Sequence, residues 1–453
     1  LNTVSITRNS VSQLTVTVAR SGFDNTNEPY SIKVTNGSGL SATLADAINQ
    51  DRVPVFATAA GNLPTAFNNN AYSANAGATD ADGDTVTHSI TSGSLPSGIS
   101  INSTNGMITG TPSGSSLGNY SITVQAATSS ATVTRNFVVP LSALPTGGNI
   151  TNTGGYRYHA FTSSGTFTVS TGFTPSIEIF MMGAGGGGGS WVPGGGGAGG
   201  CVNIDSPASF STSAQAYTVT IGGGGSGGVN PGSMAAPFGG QSLTGGDTSL
   251  RDASGNYLLT AIGGGRGGNY NGSGSSAHGQ GQNGGCGGGR GKADYADGTG
   301  VQTTATTSPL GNAVSANSRT YGIGYNGGSS STNEGYGQEG GGGLNNTERS
   351  SGSGKNGIEF SWVSTLNIGT NSSNSASSGG YFGGGGGAGN HSGGTVGSGG
   401  VGGGRQGYSN TGSKAPSGFS NTGGGGGGGG RPGGSYSEGG NGGSGVVILR
   451  YTV

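Results

Sequence analysis

Residues 423–430 read GGGGGGGG, residues 185–189 and 383–387 each read GGGGG, and residues 194–197 read GGGG. These runs lie in a tract from Gly183 to Gly445 that holds most of the 108 glycines of the 453-residue chain. Two apolar segments bracket the tract, Ile177-Glu-Ile-Phe-Met-Met182 and Val446-Val-Ile-Leu-Arg-Tyr451. A glycine run has no side chain to bury and loses the most backbone entropy on ordering. It is therefore either a disordered linker or a backbone packed so closely that only hydrogen fits where Cβ would stand. The ordered option is an extended helix with three residues per turn and no internal hydrogen bonds. Its amides then have to pair with neighbouring helices, because buried backbone groups need partners. At about 3.1 Å per residue, residues 423–430 would make a rod of about 25 Å.

Working outward, the rest of the chain reads as β-structure. Ser, Thr, Asn, Val and Gly dominate, and apolar residues alternate with polar ones. Only Leu44-Ala-Asp-Ala-Ile48 offers a helical turn. Lys and Arg number 17 against 18 Asp and Glu, a net charge of −1. That balance argues against a nucleic-acid partner and against an electrostatic membrane partner. No apolar run approaches the roughly 20 residues of a membrane span. The chain opens on Leu1, which suggests processing or a fragment of something longer. Two cysteines, Cys201 and Cys286, both in glycine surroundings, are too few for a disulfide framework. They form either one bridge or two packed thiols.

The chain divides into units at 1–48, 65–140 and 154–453, with linkers at 49–64 and 141–153. Residues 3–48 carry three alternating runs, Val4-Ser-Ile-Thr7, Leu14-Thr-Val-Thr-Val18 and Tyr30-Ser-Ile-Lys-Val34. The pattern resembles the C-terminal half of an IPT/TIG-type immunoglobulin-like domain. Three or four strands make an incomplete sandwich with open edges, so further strands or partner subunits are expected to cover it.

Residues 65–140 carry Gly93-Ser-Leu-Pro-Ser-Gly-Ile-Ser-Ile-Asn102, then Gly106-Met-Ile-Thr-Gly-Thr-Pro112, then Tyr120-Ser-Ile-Thr-Val124. Pro96 and Gly98 turn the chain before a short strand, Gly106 tightens the next hairpin, and Gly110-Thr-Pro112 ends it. Arg135-Asn-Phe-Val-Val139 supplies the last strand. This unit resembles the Ig-like, cadherin-like repeats of bacterial and phage surface proteins. It also holds Asp80-Ala-Asp82-Gly-Asp84. Alternate carboxylates around a glycine turn can converge on calcium, which takes six to eight oxygens. The resemblance implies a calcium-type loop on Asp80, Asp82 and Asp84; the alternative is a polar turn. No Glu follows at the twelfth position of an EF-hand.

The third unit opens with Gly154-Gly-Tyr-Arg-Tyr-His-Ala-Phe-Thr-Ser-Ser-Gly-Thr-Phe-Thr-Val169, read as a hairpin around Ser163-Ser-Gly165. Strand-then-glycine recurs at 177–182, at Tyr217-Thr-Val-Thr-Ile221 and at Leu258-Leu-Thr-Ala-Ile262. Glycine-then-strand closes the chain at 446–451. The order implies a β-sandwich with glycine segments leaving one end. It resembles the TNF-like, glycine-rich ectodomain of the anaplastic lymphoma kinase family. It is similar also to the glycine-rich domains of phage tail-fibre tips and adhesins, through 161–169 and the closing Gly442-Gly-Ser-Gly-Val-Val-Ile-Leu-Arg-Tyr451. The fold class expected is all-β: tandem Ig-like sandwiches, then a sandwich carrying a bundle of polyglycine II helices.

Stretches 292–320 and 344–379 are poorer in glycine and read as displayed loops, with a short strand in Gly357-Ile-Glu-Phe-Ser-Trp-Val363. Aromatic residues punctuate the tract. Trp191, Tyr270, Tyr295, Trp362, Tyr381, Tyr408 and Tyr436 are candidates for contact with a receptor or glycan, because aromatic faces suit apolar sugar faces. For each, packing against the lattice is the competing role.

Enzyme signatures fail on inspection. The many GxGxxG matches precede no helix. Lys292 and Lys355 are followed by Ala293 and Asn356 rather than the Ser or Thr of a P-loop. Arg266, Arg290, Arg405 and Arg431 are too few for an RNA-binding RGG segment. His88, His159, His278 and His391 stand far apart. Collagen would need a strict glycine period and more proline.

The resemblances imply a non-enzymatic virion structural protein, a tail-fibre or adhesin subunit that is virion-borne or extracellular. It would be a homo-oligomer, most plausibly a trimer, meeting a host glycan or outer-membrane protein. The alternative is a bacterial extracellular filament or matrix subunit assembled by strand exchange.

Overall fold

The computed structural model describes residues 3–18, 29–48, 51–173, 175–205, 209–229, 240–269, 279–291, 296–301, 324–328, 339–345, 352–375, 379–390, 395–409, 413–431 and 437–453. The chain divides into two compact units, Leu1–Ala143 and Leu144–Val453.

The first unit begins with two separate hairpins. Thr3–Arg8 pairs with Leu14–Val18, and Tyr30–Thr35 pairs with Ser41–Ile48. Asn36 builds the second turn by accepting the amides of Ser38 and Leu40 on its side-chain oxygen. Residues 44–48 are therefore strand and not a helical turn. Their alternation with Ser41 and Thr43 suits a two-faced ribbon, and Asp46 takes a left-handed φ of 52° where the register is irregular. Among the described residues no further strand joins the hairpins: each is a two-stranded sheet.

From Val53 onward the unit is Ig-like. One sheet orders Thr87–Gly93, Gly118–Ala127 and Thr132–Ser142, with Gly61–Asn62 and Ala66–Phe67 pairing in parallel on the last strand. A second sheet orders Ile99–Ile101, Met107–Gly110 and Tyr72–Asn75. The boundaries shift accordingly: Val55–Phe56 and Gly61–Asn62 are short strands within the domain and not linker, and the final strand runs to Ser142. Alternate residues of the long strands, Ile122, Val124, Phe137 and Val139, fill the core with Ile108 and Phe56. Each contributes about 1.5–3 kcal/mol by leaving water. Gly98 shows why the turn motif needs glycine: its φ is +87°, and a Cβ there would strike the Thr111 carbonyl.

The second unit holds a sandwich. A five-stranded sheet orders Asn149–Thr153, Tyr156–Phe161, Val446–Thr452, Glu178–Met182 and Cys201–Ile204. A four-stranded sheet orders Gly165–Thr168, Ala216–Thr220, Thr248–Arg251 and Tyr257–Ala261. A ring contact joins them, His159 with Phe167 at 5.1 Å, and Phe173, outside both sheets, packs on Tyr451 at 4.8 Å. The hairpin expected around Ser163 does not form. Its two arms lie in opposite sheets, and residues 162–164 cross between them. The real hairpin is Asn149–Thr153 with Tyr156–Phe161, turned by Gly154 and Gly155 at φ of 57° and 77°. So 149–153 is strand, and the unit starts before residue 154.

Glu178–Met182 is buried along its whole length. Phe180 and Met182 pack against Leu344, Phe360 and Phe382, which cover the outer side of the sheet. In that cover, the strand expected over 357–363 reduces to Ile358–Glu359, paired with Tyr381–Phe382, and a single helical turn follows at Ser361–Ser364. Cys201 and Cys286 are free, buried thiols in the same cluster.

Beyond Met182 the glycine segments run to and fro from the sandwich. Their amides follow a rule of three. Gly183, Gly186 and Gly189 donate to the carbonyls of Gly200, Gly197 and Gly194. Ala184 and Gly187 donate to Gly246 and Leu243, and Gly185 and Gly188 to Gly443 and Gly440, all at 2.8–3.1 Å. The carbonyls of the same segment accept from three more neighbours, through Gly225 and Gly228, Gly264 and Gly267, and Gly426 and Gly429. One backbone is thus ringed by six others. The residues at 185–189 keep clear of positive φ. Space, and not backbone angle, demands glycine: a Cβ on any of the five would fall inside 3.0 Å of a neighbouring carbonyl oxygen.

Candidate functional site

The register of these bonds places the segment ends at two levels. Gly183, Gly423 and Gly445 lie beside the sandwich. At the other end Gly189 donates to Gly194, so residues 190–193 form a turn remote from the strands. Gly228 donates to Gly188, Gly268 to Gly289, Gly429 to Gly189, and Arg431 to Asn390, which brings five further segment ends to that distal level. The stretches that connect these ends in the sequence, including 230–239, 270–278, 292–295 and 432–436, lie outside the described residues.

Side chains lock the distal level. Asn269 accepts the Ser190 amide at 3.0 Å, and the Ser190 hydroxyl reaches the Val229 carbonyl at 3.3 Å. Trp191 is 4% exposed, and the Arg431 guanidinium lies 5.8 Å from its ring centroid. Its φ of 77° is an outlier for a bulky residue. Arg290 ties two neighbouring segments, meeting Glu339 at 3.2 Å and Asp297 at 3.9 Å. Burial raises the Asp297 carboxyl above its usual range, and the Arg290 backbone amide and charge oppose the shift.

The expected contact residues separate. Trp191 and Tyr408 are at the distal level; Tyr408 donates its amide to Gly428. Trp191 is buried, so its ring is packing and not a platform. Trp362 and Tyr381 are at the sandwich end. The Trp362 ring stacks on Arg450 at 4.4 Å, and Glu359 accepts a hydrogen bond from the Tyr381 hydroxyl, which raises that phenol. Tyr270, Tyr295 and Tyr436 lie outside the described residues. Sequence reasoning missed Asn269, Ser190 and Arg290, whose small or charged side chains carry no signal apart from the position of their segment ends.

The acidic loop is held by hydrogen bonds of its own. Asp80 accepts the Asp82 amide at 2.9 Å, while Asp82 accepts the Arg52 amide at 2.7 Å and faces its guanidinium at 3.6 Å. Asp84 is raised by partial desolvation and by the charges of Asp51, Asp80 and Asp82. Among the described residues no group of three or more His, Cys, Asp or Glu is placed to hold a metal.

Comparison with known proteins agrees with the two architectures. Residues 53–142 match the family described as Putative Ig domain, and residues 160–452 match the family described as Glycine-rich domain. No curated protein matches. Among solved structures, an endo-fucoidan hydrolase of glycoside hydrolase family 107 is 14% identical over 39% of this chain and 29% of that one, at a TM-score of 0.20. The protocadherin GammaB4 extracellular domain is 16% identical over 56% of this chain and 42% of that one, at 0.24. The chain spans less than half the length of these structures, and such scores carry no argument about activity. No helix among the described residues is long and apolar enough to cross a membrane. With the second match covering well over half of its length, the chain belongs to the glycine-rich domain family, preceded by an Ig-like domain.

Proposed function

We propose that the chain is a non-enzymatic subunit of a virion tail fibre or comparable surface adhesin. The glycine segments are polyglycine II helices, and their bundle is a stiff, nearly uncharged stand. The recurrence of bonding partners every third residue supports that reading, since this helix has three residues per turn. The observation that carries the function is the convergence of segment ends on one distal level. Recognition concentrates where a rigid scaffold gathers its segment ends, and the described ends at this level supply such a surface. The partner is a host-surface glycan or outer-membrane protein, and the working form is a homotrimer.

Cryo-electron microscopy of the full-length chain bound to host cell envelopes tests this. Contact density at the distal level supports the proposal; contact through the sandwich or the Ig-like domain overturns it. A second reading, a bacterial extracellular filament, draws on the edges of the two N-terminal hairpins, which pair with no further strand among the described residues. It is favoured if isolated particles are continuous filaments and not discrete fibres.

A further inference from the structure

Of the eighteen large apolar side chains exposed among the described residues, eight fall within residues 3–48. They are not scattered. Ile6 pairs across the ribbon with Val16, and Leu14 stands beside Arg8. In the second hairpin Ile32 pairs with Leu44, and Val34 with Ala42. Directly paired residues share a face, and successive residues alternate between faces. Each hairpin therefore has one mainly aliphatic face, with Arg8 at the end of the first, and one face mainly of Ser and Thr, with Lys33 on the second. Ile6 is 63% exposed and Leu44 65%, so neither face is covered by the described residues.

We infer that these two aliphatic faces are the self-association surface of the protein, covered by the same hairpins of a second copy. Three observations select that occupant. First, the charged residues among the described hairpin positions are only Arg8, Lys33 and Asp46. That offers nothing to a nucleic acid, an acidic peptide or a charged membrane surface, and it does not repel a like copy. Secondly, the faces are aliphatic and β-branched. Such faces pack sheet on sheet at about 10 Å, whereas a sugar would want flat aromatic rings. Thirdly, size matters. A covered aliphatic side chain removes about 60–120 Å² from water, and these are roughly half exposed. One hairpin then falls far short of the about 800 Å² per partner of a specific interface. An occupant has to cover both hairpins and their edges. A second copy brings two ribbons of matching length and pattern, and a two-stranded ribbon alone is marginal in water. A symmetric interface sets the same patch of each copy against the other, which a second copy of these ribbons provides.

This inference deepens the oligomer reading above and rests on it. The test is light scattering of the full-length chain across a wide concentration range, wild type against Ile6→Asp/Ile32→Asp/Leu44→Asp. The expected result is a multiple of the chain mass for wild type and a single mass for the variant, with the melting of the glycine-rich unit unchanged. If both are equally oligomeric, the hairpins are not the interface, while the oligomer reading stands. If wild type runs at a single mass, both readings fall. A cross-linking pair guards against a variant whose hairpins simply unfold. Under mild oxidation Val16→Cys, on the aliphatic face, is expected to give a disulfide-linked dimer, and Thr15→Cys, on the hydroxyl face, is not. Equal cross-linking of the two overturns the inference. The native Cys201 and Cys286 are buried, so wild type serves as the uncross-linked control.

Discussion

Arg450 grips Glu178 at 2.6 Å, joining the strand that leads into the glycine lattice to the strand that leaves it, 272 residues later. The guanidinium also stacks between the rings of Tyr156 at 4.3 Å and Trp362 at 4.4 Å. The pair thus fastens the two ends of the lattice to one sheet and to the layer that covers it.

Removing the acid alone leaves a poorly solvated cation. Glu178→Ala is expected to cost about 3–5 kcal/mol, the range for breaking a mostly buried ion pair from one side. Chemical denaturation followed by near-ultraviolet circular dichroism measures it. A loss below about 1 kcal/mol would mean that the ring stack alone holds Arg450.

The lattice predicts opposite outcomes for two glycine substitutions. Gly186→Ala drives a Cβ into the backbone carbonyl of Gly265, which cannot swing aside. A loss of about 1–3 kcal/mol or more is expected, as for overpacked cores. Gly223 is exposed and has nothing within 4 Å of its Cβ position. Gly223→Ala is expected to be neutral or to stabilise by about 0.4–1 kcal/mol through the unfolded chain. Similar melting temperatures for the two variants would contradict the close packing.

His159 is buried between Phe167 and Tyr451, with its Nδ1 at 2.7 Å from the Gly147 carbonyl. Burial chiefly lowers its pKa from 6.5 to about 4. The unfolded chain then binds the proton better. Stability from this group is fully present above pH 6.5 and is lost as pH falls from 6.5 towards 4, by about 3 kcal/mol at the lower end. His159→Gln is expected to start lower but to lose that slope. Equal slopes in wild type and variant between pH 7 and pH 4 would refute the assignment.

Burial also raises both thiols, Cys286 to about 12 and Cys201 well above its usual value. Thiolate, the reactive form, is then scarce. Neither cysteine is expected to react with iodoacetamide at pH 8 in the folded chain, and both are expected to react in denaturant, as read by mass spectrometry. Rapid alkylation of the folded chain would show the cluster to be open.

Amide exchange reads the lattice directly. Gly186 and Gly426 donate inside the ring of six neighbours, so their exchange is expected to be slow, close to that of Ile448 in the central sheet. Exchange at the rate of an unstructured peptide would dissolve the lattice.

Much of this architecture was legible in the sequence. Each strand that ends in glycine, at Met182, Thr220 and Ala261, did lead into the lattice, because a strand's alternation and a glycine run are both strong local signals. The errors came where local pattern underdetermines pairing. Tyr156–Phe161 and Gly165–Thr168 sit three residues apart, as hairpin arms do, yet they face each other across the core. Leu44–Ile48 could be a helical turn by composition, and cross-strand pairing with Ile32 settled it as strand. Trp191 looked like a sugar platform because nothing in its neighbourhood revealed that Arg431, 240 residues away, would lie over it. The distal level could not be read at all, since it is defined by the lengths of many segments together.

The rule of three in the lattice also governs how such a body can change its height. Adding three residues to a segment returns every later amide to the neighbour it had before, one turn higher. Adding one or two swings each later donor onto the wrong backbone. Growth by whole layers is tolerated, as in a crystal, whereas a single inserted glycine acts as a dislocation.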